Sequence, residues 1–170
     1  MAKKYKYLLA FLVAVFVIAA LIASPLVDVE IDIEGEEPAH PQEFLKVGIG
    51  TASITAEVVR TGEAMTVGLS GRDSIGSADG MLFVFDEPKL PAFWMKDMRF
   101  PLDIIWIAGG RVSDIDENVT VPSGSASDDE LPRYIPDTAI DRVLEVEAGF
   151  VKKNSIRIGD EFRVLSYAER

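Results

Sequence analysis

The sequence predicts a mainly β fold: a compact, closed or nearly closed sheet with one or two short helices, preceded by one transmembrane helix. Three observations carry this. Residues 7–27 hold 21 consecutive uncharged positions, mostly Leu, Val, Ile, Phe and Ala. From residue 44 onward, short runs rich in β-branched and aromatic residues alternate with glycine-containing breaks, the pattern of strands and turns. Helical periodicity is scarce beyond residue 27, so two small helices complete the inventory.

Taken in order, the apolar stretch comes first. As a helix, 21 residues span about 31 Å, the thickness of a bilayer's hydrocarbon core. Its apolar side chains favour insertion by roughly 4–6 kcal/mol in total. Lys3, Lys4 and Lys6 precede it, and Asp28, Glu30, Asp32, Glu34, Glu36 and Glu37 follow it. That asymmetry places the N-terminus in the cytoplasm and the rest of the chain outside it, as a single-pass cell-membrane protein. A cleaved signal peptide is the rival reading, but the apolar run is long for one, and Pro25 follows the candidate cleavage point at Ser24. A soluble core helix is disfavoured, because the stretch has no polar face. Residues 28–43 form an acidic linker with Gly35, Pro38 and Pro41. The VEIDI alternation at 29–33 is a short edge strand at most. Residues 44–170 form the β-rich domain.

Within that domain ITAEVV (54–59) reads as a strand with Ile54, Ala56 and Val58 on one face and Thr55, Glu57 and Val59 on the other. GMLFVF (80–85) is continuously apolar, as strands buried on both sides are. LDIIWIAGGRVSDI (102–115) reads as a hairpin, because Gly109 and Gly110 supply the positive φ values of a two-residue turn. Short helices are expected near 61–69, capped by Thr61, and near 148–154. The serine-, glycine- and acid-rich segment 123–136 is a long polar loop.

Composition removes whole classes of function. There is no cysteine, so there are no disulfides and no thiolate metal sites. The single histidine, His40, excludes a histidine metal cluster, and its place in the acidic linker argues against histidine-based nucleophile triads. Beyond residue 27, 14 basic residues stand against 28 acidic ones, a formal charge of −14 that repels phosphate backbones and argues against nucleic-acid binding. No phosphate loop or dinucleotide fingerprint is present, and no cofactor is expected. DIDEN (114–118) starts like a calcium loop, but Val119 stands where glycine is required, so a regular EF-hand is excluded. A weak cation site from Asp116, Glu117 and the acids at 128–130 is a minor alternative.

The chemistry concentrates in FWMKDMRFPLDIIWI (93–107), where Lys96, Asp97 and Asp103 stand in an apolar setting and need partners. If residues 92–100 are extended, Trp94, Lys96 and Met98 share one face, opposite Phe93, Met95, Asp97 and Arg99. On the next strand Asp103, Ile105 and Ile107 oppose Leu102, Ile104 and Trp106, with Pro101 fixing the corner between the two strands. Donors for Asp103 are sought in Lys96, Arg99 or Arg72.

The motifs GLSGR (68–72), GMLFVF, FWMKD (93–97), PLDI (101–104), VLEVEAG (143–149) and IGDEF (158–162) together resemble the domain of unknown function 192 family, over roughly residues 47–165. The resemblance implies a β-barrel-like single domain and no established reaction. Ser70 stands where the family typically has methionine, and Asp97 where it typically has asparagine. The added negative charge beside Lys96 weakens an anionic-ligand site and argues against direct transfer of any family pocket. Arg72, in the family's G-L-x-x-R element, is suited either to clamping a carboxylate or phosphate or to tying a loop to Asp103 or Glu145.

The leading expectation is a non-enzymatic, membrane-tethered binding or accessory module of the cell envelope. Its candidate pocket is Arg72, Trp94, Lys96, Asp97, Asp103 and Glu117, for a small polar ligand such as a sugar or peptide end, or for an envelope protein. The alternatives are a glycan or cell-wall hydrolase using Asp103 and Glu117 as paired carboxylates, and a structural domain with no ligand. For the anchor, protease shaving of intact cells should digest the domain and leave a membrane-bound stub. Full protection, or a mature N-terminus near Ser24, would overturn that topology.

Overall fold

The computed structural model describes residues 43–122, 124 and 127–168. The apolar stretch at 7–27, residues 28–42 of the linker and the VEIDI alternation within it lie outside the described residues. No helix among the described residues is long and apolar enough to cross a membrane.

Seven strands and two short helices follow one another as β1 (Glu43–Ile49), β2 (Ala52–Val59), α1 (Gly62–Val67), β3 (Gly80–Lys89), β4 (Leu102–Ala108), β5 (Arg111–Val119), β6 (Ile140–Glu147), α2 (Phe150–Asn154) and β7 (Phe162–Tyr167). They form a single sheet in the order β5-β4-β6-β3-β2-β1-β7. Every neighbouring pair is antiparallel except β2 and β3. A parallel pair needs a long crossover, and α1 with the loop after it supplies this one. Thr61 caps α1 by accepting a hydrogen bond from the Ala64 amide at 3.3 Å. The helices fall where the sequence placed them, each shorter than expected.

The sheet does not close into a barrel. β5 and β7 are its edges, and they meet at one corner. There Arg111 bridges Glu161, the Val112 amide donates to Asp160 O at 2.9 Å, and the Phe162 amide donates to Gly110 O at 2.9 Å. Past that corner β5 carries Asp114, Asp116 and Glu117, and acidic side chains on an edge oppose further pairing. β7 keeps its ladder to β1, with an irregularity at Lys46 and Val47. A barrel expectation had no way to anticipate that one edge is closed by charge.

Alternation along the strands builds two cores. Ile105, Ile107, Leu82, Leu144 and Val146 face one of them, which Val151 and Ile156 cover from α2 and the turn after it. Leu102, Ile104, Trp106, Met81, Phe83 and Val143 face the other, covered by Leu69, Ile75, Met95 and Met98 from two loops. The central strands are thus buried on both faces, which is why GMLFVF and LDIIWI read as unbroken apolar runs. Trp106 is fully buried, and Phe93 packs edge-to-face on it at 5.4 Å and on Phe83 at 4.9 Å. The β4–β5 turn has the expected form, with φ of +56° at Gly109 and +78° at Gly110.

Residues 92–100 are not a strand. Phe93 forms an isolated bridge to Tyr134, after which the chain turns, the Met98 amide donating to Met95 O at 3.3 Å. Asp97 adopts φ +54°, a left-handed value that aspartate tolerates better than most residues. Met95 and Met98, three apart, therefore both enter the second core, and the two-faced sorting expected of an extended segment fails.

Gly80 marks a tight approach of β3 to β6, since a Cβ there would stand 2.8 Å from Glu145 O and 3.0 Å from Val146 Cγ1. Gly80→Ala should cost about 1–3 kcal/mol by overpacking. Gly62→Ala, in open space on α1, should be neutral or stabilising by up to about 1 kcal/mol. Equal melting temperatures for the two variants would refute the close approach.

Candidate functional site

Two turns organise a charged part of the surface. Ser70 Oγ donates to Lys96 O at 2.8 Å, and the Gly71 amide donates to Asp97 O at 2.9 Å. These bonds stitch GLSGR to FWMKD, with Leu69, Met95 and Met98 buried beneath and Lys96 and Asp97 turned outward. The facing wall is the segment around 127–134, pinned by two backbone hydrogen bonds of 2.9 Å between Phe93 and Tyr134. Across the gap the Lys96 ammonium pairs with Asp128, whose hydrogen bond raises the lysine's pKa. The Arg133 guanidinium lies over the Trp94 ring at 3.9 Å, with Lys96 Nζ at 5.4 Å from the same ring. Arg133 also donates to Asp128 O at 3.0 Å and to Leu131 O at 3.3 Å. The result is a cleft of about 200 Å³, with Lys96, Asp97 and Met98 on one side and Val121, Asp128 and Leu131 on the other.

Of the six residues singled out by sequence, Lys96 and Asp97 line this cleft, and Trp94 stands beside it, its ring under Arg133 and 5.4 Å from Lys96 Nζ. The other three go elsewhere. Asp103 is fully buried and accepts from the Asn118 amide at 2.8 Å and the Val151 amide at 2.9 Å, so its partners are backbone N–H groups and not Lys96, Arg99 or Arg72. Arg72 pairs bidentately with Glu57 at 2.7 and 2.9 Å, not with Asp103 or Glu145, and that bond raises its pKa. Glu117 is exposed on β5, outside the cleft. Arg99 pairs with Asp73 at 2.6 Å. In the sequence Asp128 figured only in a weak cation site and not as the partner of Lys96, and Arg133 was missed, because both lie in a polar loop with no periodicity. The signal that could have found them was the need of Lys96 for a counter-charge and the open face of Trp94.

Two of the acids of DIDEN, Asp114 and Asp116, serve the fold. Asp116 accepts from Trp106 Nε1 at 2.7 Å, while partial burial raises its pKa. Asp114 accepts from the next residue's amide at 2.8 Å. Among the described residues no group of three or more His, Cys, Asp or Glu side chains is placed to hold a metal ion. Glu145 lies on β6 in register with Met81 and Ile104, so it faces the second core. Burial alone pushes its pKa up to about 8.

A family model for DUF192, described as "Uncharacterized ACR", matches residues 45–164, and the chain belongs to that family. No curated protein matches it significantly. Two solved structures share its fold. One is a protein of unknown function from Novosphingobium aromaticivorans DSM 12444, 24% identical, with a TM-score of 0.63, covering 74% of this chain and 89% of its own. The other, from Sinorhizobium meliloti 1021, is described as a candidate transcription regulator. It is 28% identical, with a TM-score of 0.60, covering 72% of this chain and 93% of its own.

Removing the Asp103 carboxylate strands two buried amides, so Asp103→Ala should cost about 2–5 kcal/mol. Lys96→Ala and Asp97→Ala, at the surface, should each cost under about 1 kcal/mol. Thermal unfolding of the three variants tests the contrast, and equal large losses would place all three in the structural core. Glu145 sets a pH dependence. Its folded pKa of about 8 exceeds the ordinary 4.5, so the native state holds the proton more tightly than the unfolded chain. The contribution of Glu145 to stability is full below pH 4.5 and falls as pH rises towards 8. Glu145→Gln should flatten that fall, and an unchanged profile would refute the assignment.

Proposed function

We propose that the chain is a non-enzymatic binding or accessory module of the cell envelope, tethered by residues 7–27 and taking a small polar ligand in the Lys96–Asp97–Asp128 cleft. The observation that carries this reading is the ion pair spanning the cleft, whose side chains are 37% and 52% exposed. An exposed pair contributes roughly 0–1 kcal/mol, so a ligand opens it at little cost and finds a donor and an acceptor already placed. With one base and two acids at its mouth, the cleft suits a molecule bearing both an ammonium or hydroxyl donor and an anionic or carbonyl acceptor, as a peptide end or a sugar does.

The hydrolase alternative has less support. Both Asp103 oxygens are engaged by amides deep in the fold, and Glu117 stands exposed on another element. A role in transcription, as described for the Sinorhizobium meliloti protein, is opposed by the formal charge of −14 beyond residue 27.

Titrating the isotope-labelled chain with alanyl-alanine and with N-acetylglucosamine, followed by amide chemical shifts, tests the cleft. One of the two should shift Lys96, Asp97 and Asp128 saturably at millimolar concentration, and Lys96→Ala should abolish the effect. Linear, diffuse shifts with both compounds would sink the proposal.

A further inference from the structure

A second groove of about 350 Å³ shares no lining residue with the cleft described above. Its walls are Met65 of α1, Phe85 in the middle of β3, and the arm that carries Pro91, Phe93 and Trp94. Three aromatic rings, a thioether and a proline make it strongly apolar. Lys89 is the charged side chain in its lining, and no acid lines it, in a chain whose net charge is −11. The Lys89 ammonium lies over the Phe85 ring at 4.1 Å and has no carboxylate partner among the described residues. Asp86 and Glu87, close by on the same strand, are exposed and do not line the groove.

A cation–π contact orients the ammonium over the floor of the groove without neutralising it. An apolar slot of this size with one uncompensated cation at its edge matches a ligand with the same division: a flat apolar body ending in one negative charge. A phosphate monoester, with nearly two charges, leaves an excess that the surrounding acidic protein repels. We infer that this groove is a binding site for an apolar carboxylate, its ring or short chain lying between Met65, Phe85 and Trp94 and its carboxylate on the Lys89 ammonium.

The full chain, measured against a protein-free blank of the same detergent, should be titrated with 1-naphthoate and with the neutral 1-naphthamide by calorimetry. 1-Naphthoate should bind the tighter of the two. Lys89→Met should weaken it about tenfold, the scale of one charge-assisted hydrogen bond, and leave 1-naphthamide unchanged. Lys89→Arg should retain most of the affinity, and Lys152→Met, on α2 and outside the lining of both grooves, should have no effect. The inference is overturned by equal binding of the two compounds, by an unaltered Lys89→Met variant, by a loss caused equally by Lys152→Met, or by no binding at all. Because the two sites are probed by different variants, failure here leaves the peptide and sugar titration to stand or fall by itself.

Discussion

Asp103 is the side chain on which the packing of this domain turns. It sits on β4 with no exposure, and its two oxygens reach two separate elements: the Asn118 amide near the end of β5 and the Val151 amide in the first turn of α2. A carboxylate in an apolar interior is tolerated when charge-assisted hydrogen bonds replace its lost water, and backbone amides do this without bringing in a second charge. Each bond also closes a gap that secondary structure leaves open. At Asn118 the φ of +52° takes the chain out of the regular ladder, and the β4–β5 register shifts between Leu102 and Ile104. At Val151 the amide belongs to the unsatisfied first turn of a helix whose N-cap, Gly149, has no side chain to offer. One acid thus fixes the edge strand and the helix that covers the first core.

Glu145 shows the opposite solution to the same problem. It stands on the neighbouring strand and faces the second core, between Met81 and Ile104 in register. No charged group offsets its burial, so it stays protonated through neutral pH. One face of the sheet therefore holds a carboxylate satisfied by amides, and the other a carboxylic acid kept neutral by its surroundings. Neither arrangement leaves a base ready to activate water. Accessible charge is found instead, among other places, in the stitched turns, where Lys96 and Asp97 project from backbone held by Ser70 and Gly71.

Much of this was legible in the sequence wherever a residue's chemistry decides its own backbone. Gly109 and Gly110 announce the hairpin because few other residues accept two successive positive φ values. Thr61 announces the start of α1, and the alternation in β4 sorts Ile105 and Ile107 from Ile104 and Trp106. Reading failed where the outcome depends on partners distant in the chain. Residues 92–100 look extended by composition, yet bonds to Ser70, Gly71 and Tyr134, 26 or more positions away, fold them into a bridge and a turn. Likewise the expected cationic partner of Asp103 was a reasonable deduction from side chains alone. The true donors are backbone amides, which every sequence contains and none advertises. Of the residues expected to form one pocket, Lys96 and Asp97 line the polar cleft with Trp94 beside them, whereas Arg72, Asp103 and Glu117 stand apart from it.

The two grooves differ in how their charge is held, and that difference governs what each can select. In the polar cleft Lys96 is already paired with Asp128, so an incoming anion must displace a carboxylate before gaining the ammonium. Only a ligand that also satisfies Asp128 or Asp97 recovers what the displaced pair loses, which selects for molecules with donors as well as acceptors. At the apolar groove Lys89 rests on the Phe85 ring, and a carboxylate can approach it while that contact persists, since the ring occupies one side of the ammonium. There the selection is for a single negative charge joined to apolar surface. Substituting asparagine, the family's usual residue, for Asp97 would remove one acid from the polar cleft and shift its preference towards anions. The apolar groove, in whose lining Asp97 takes no part, would keep its own preference.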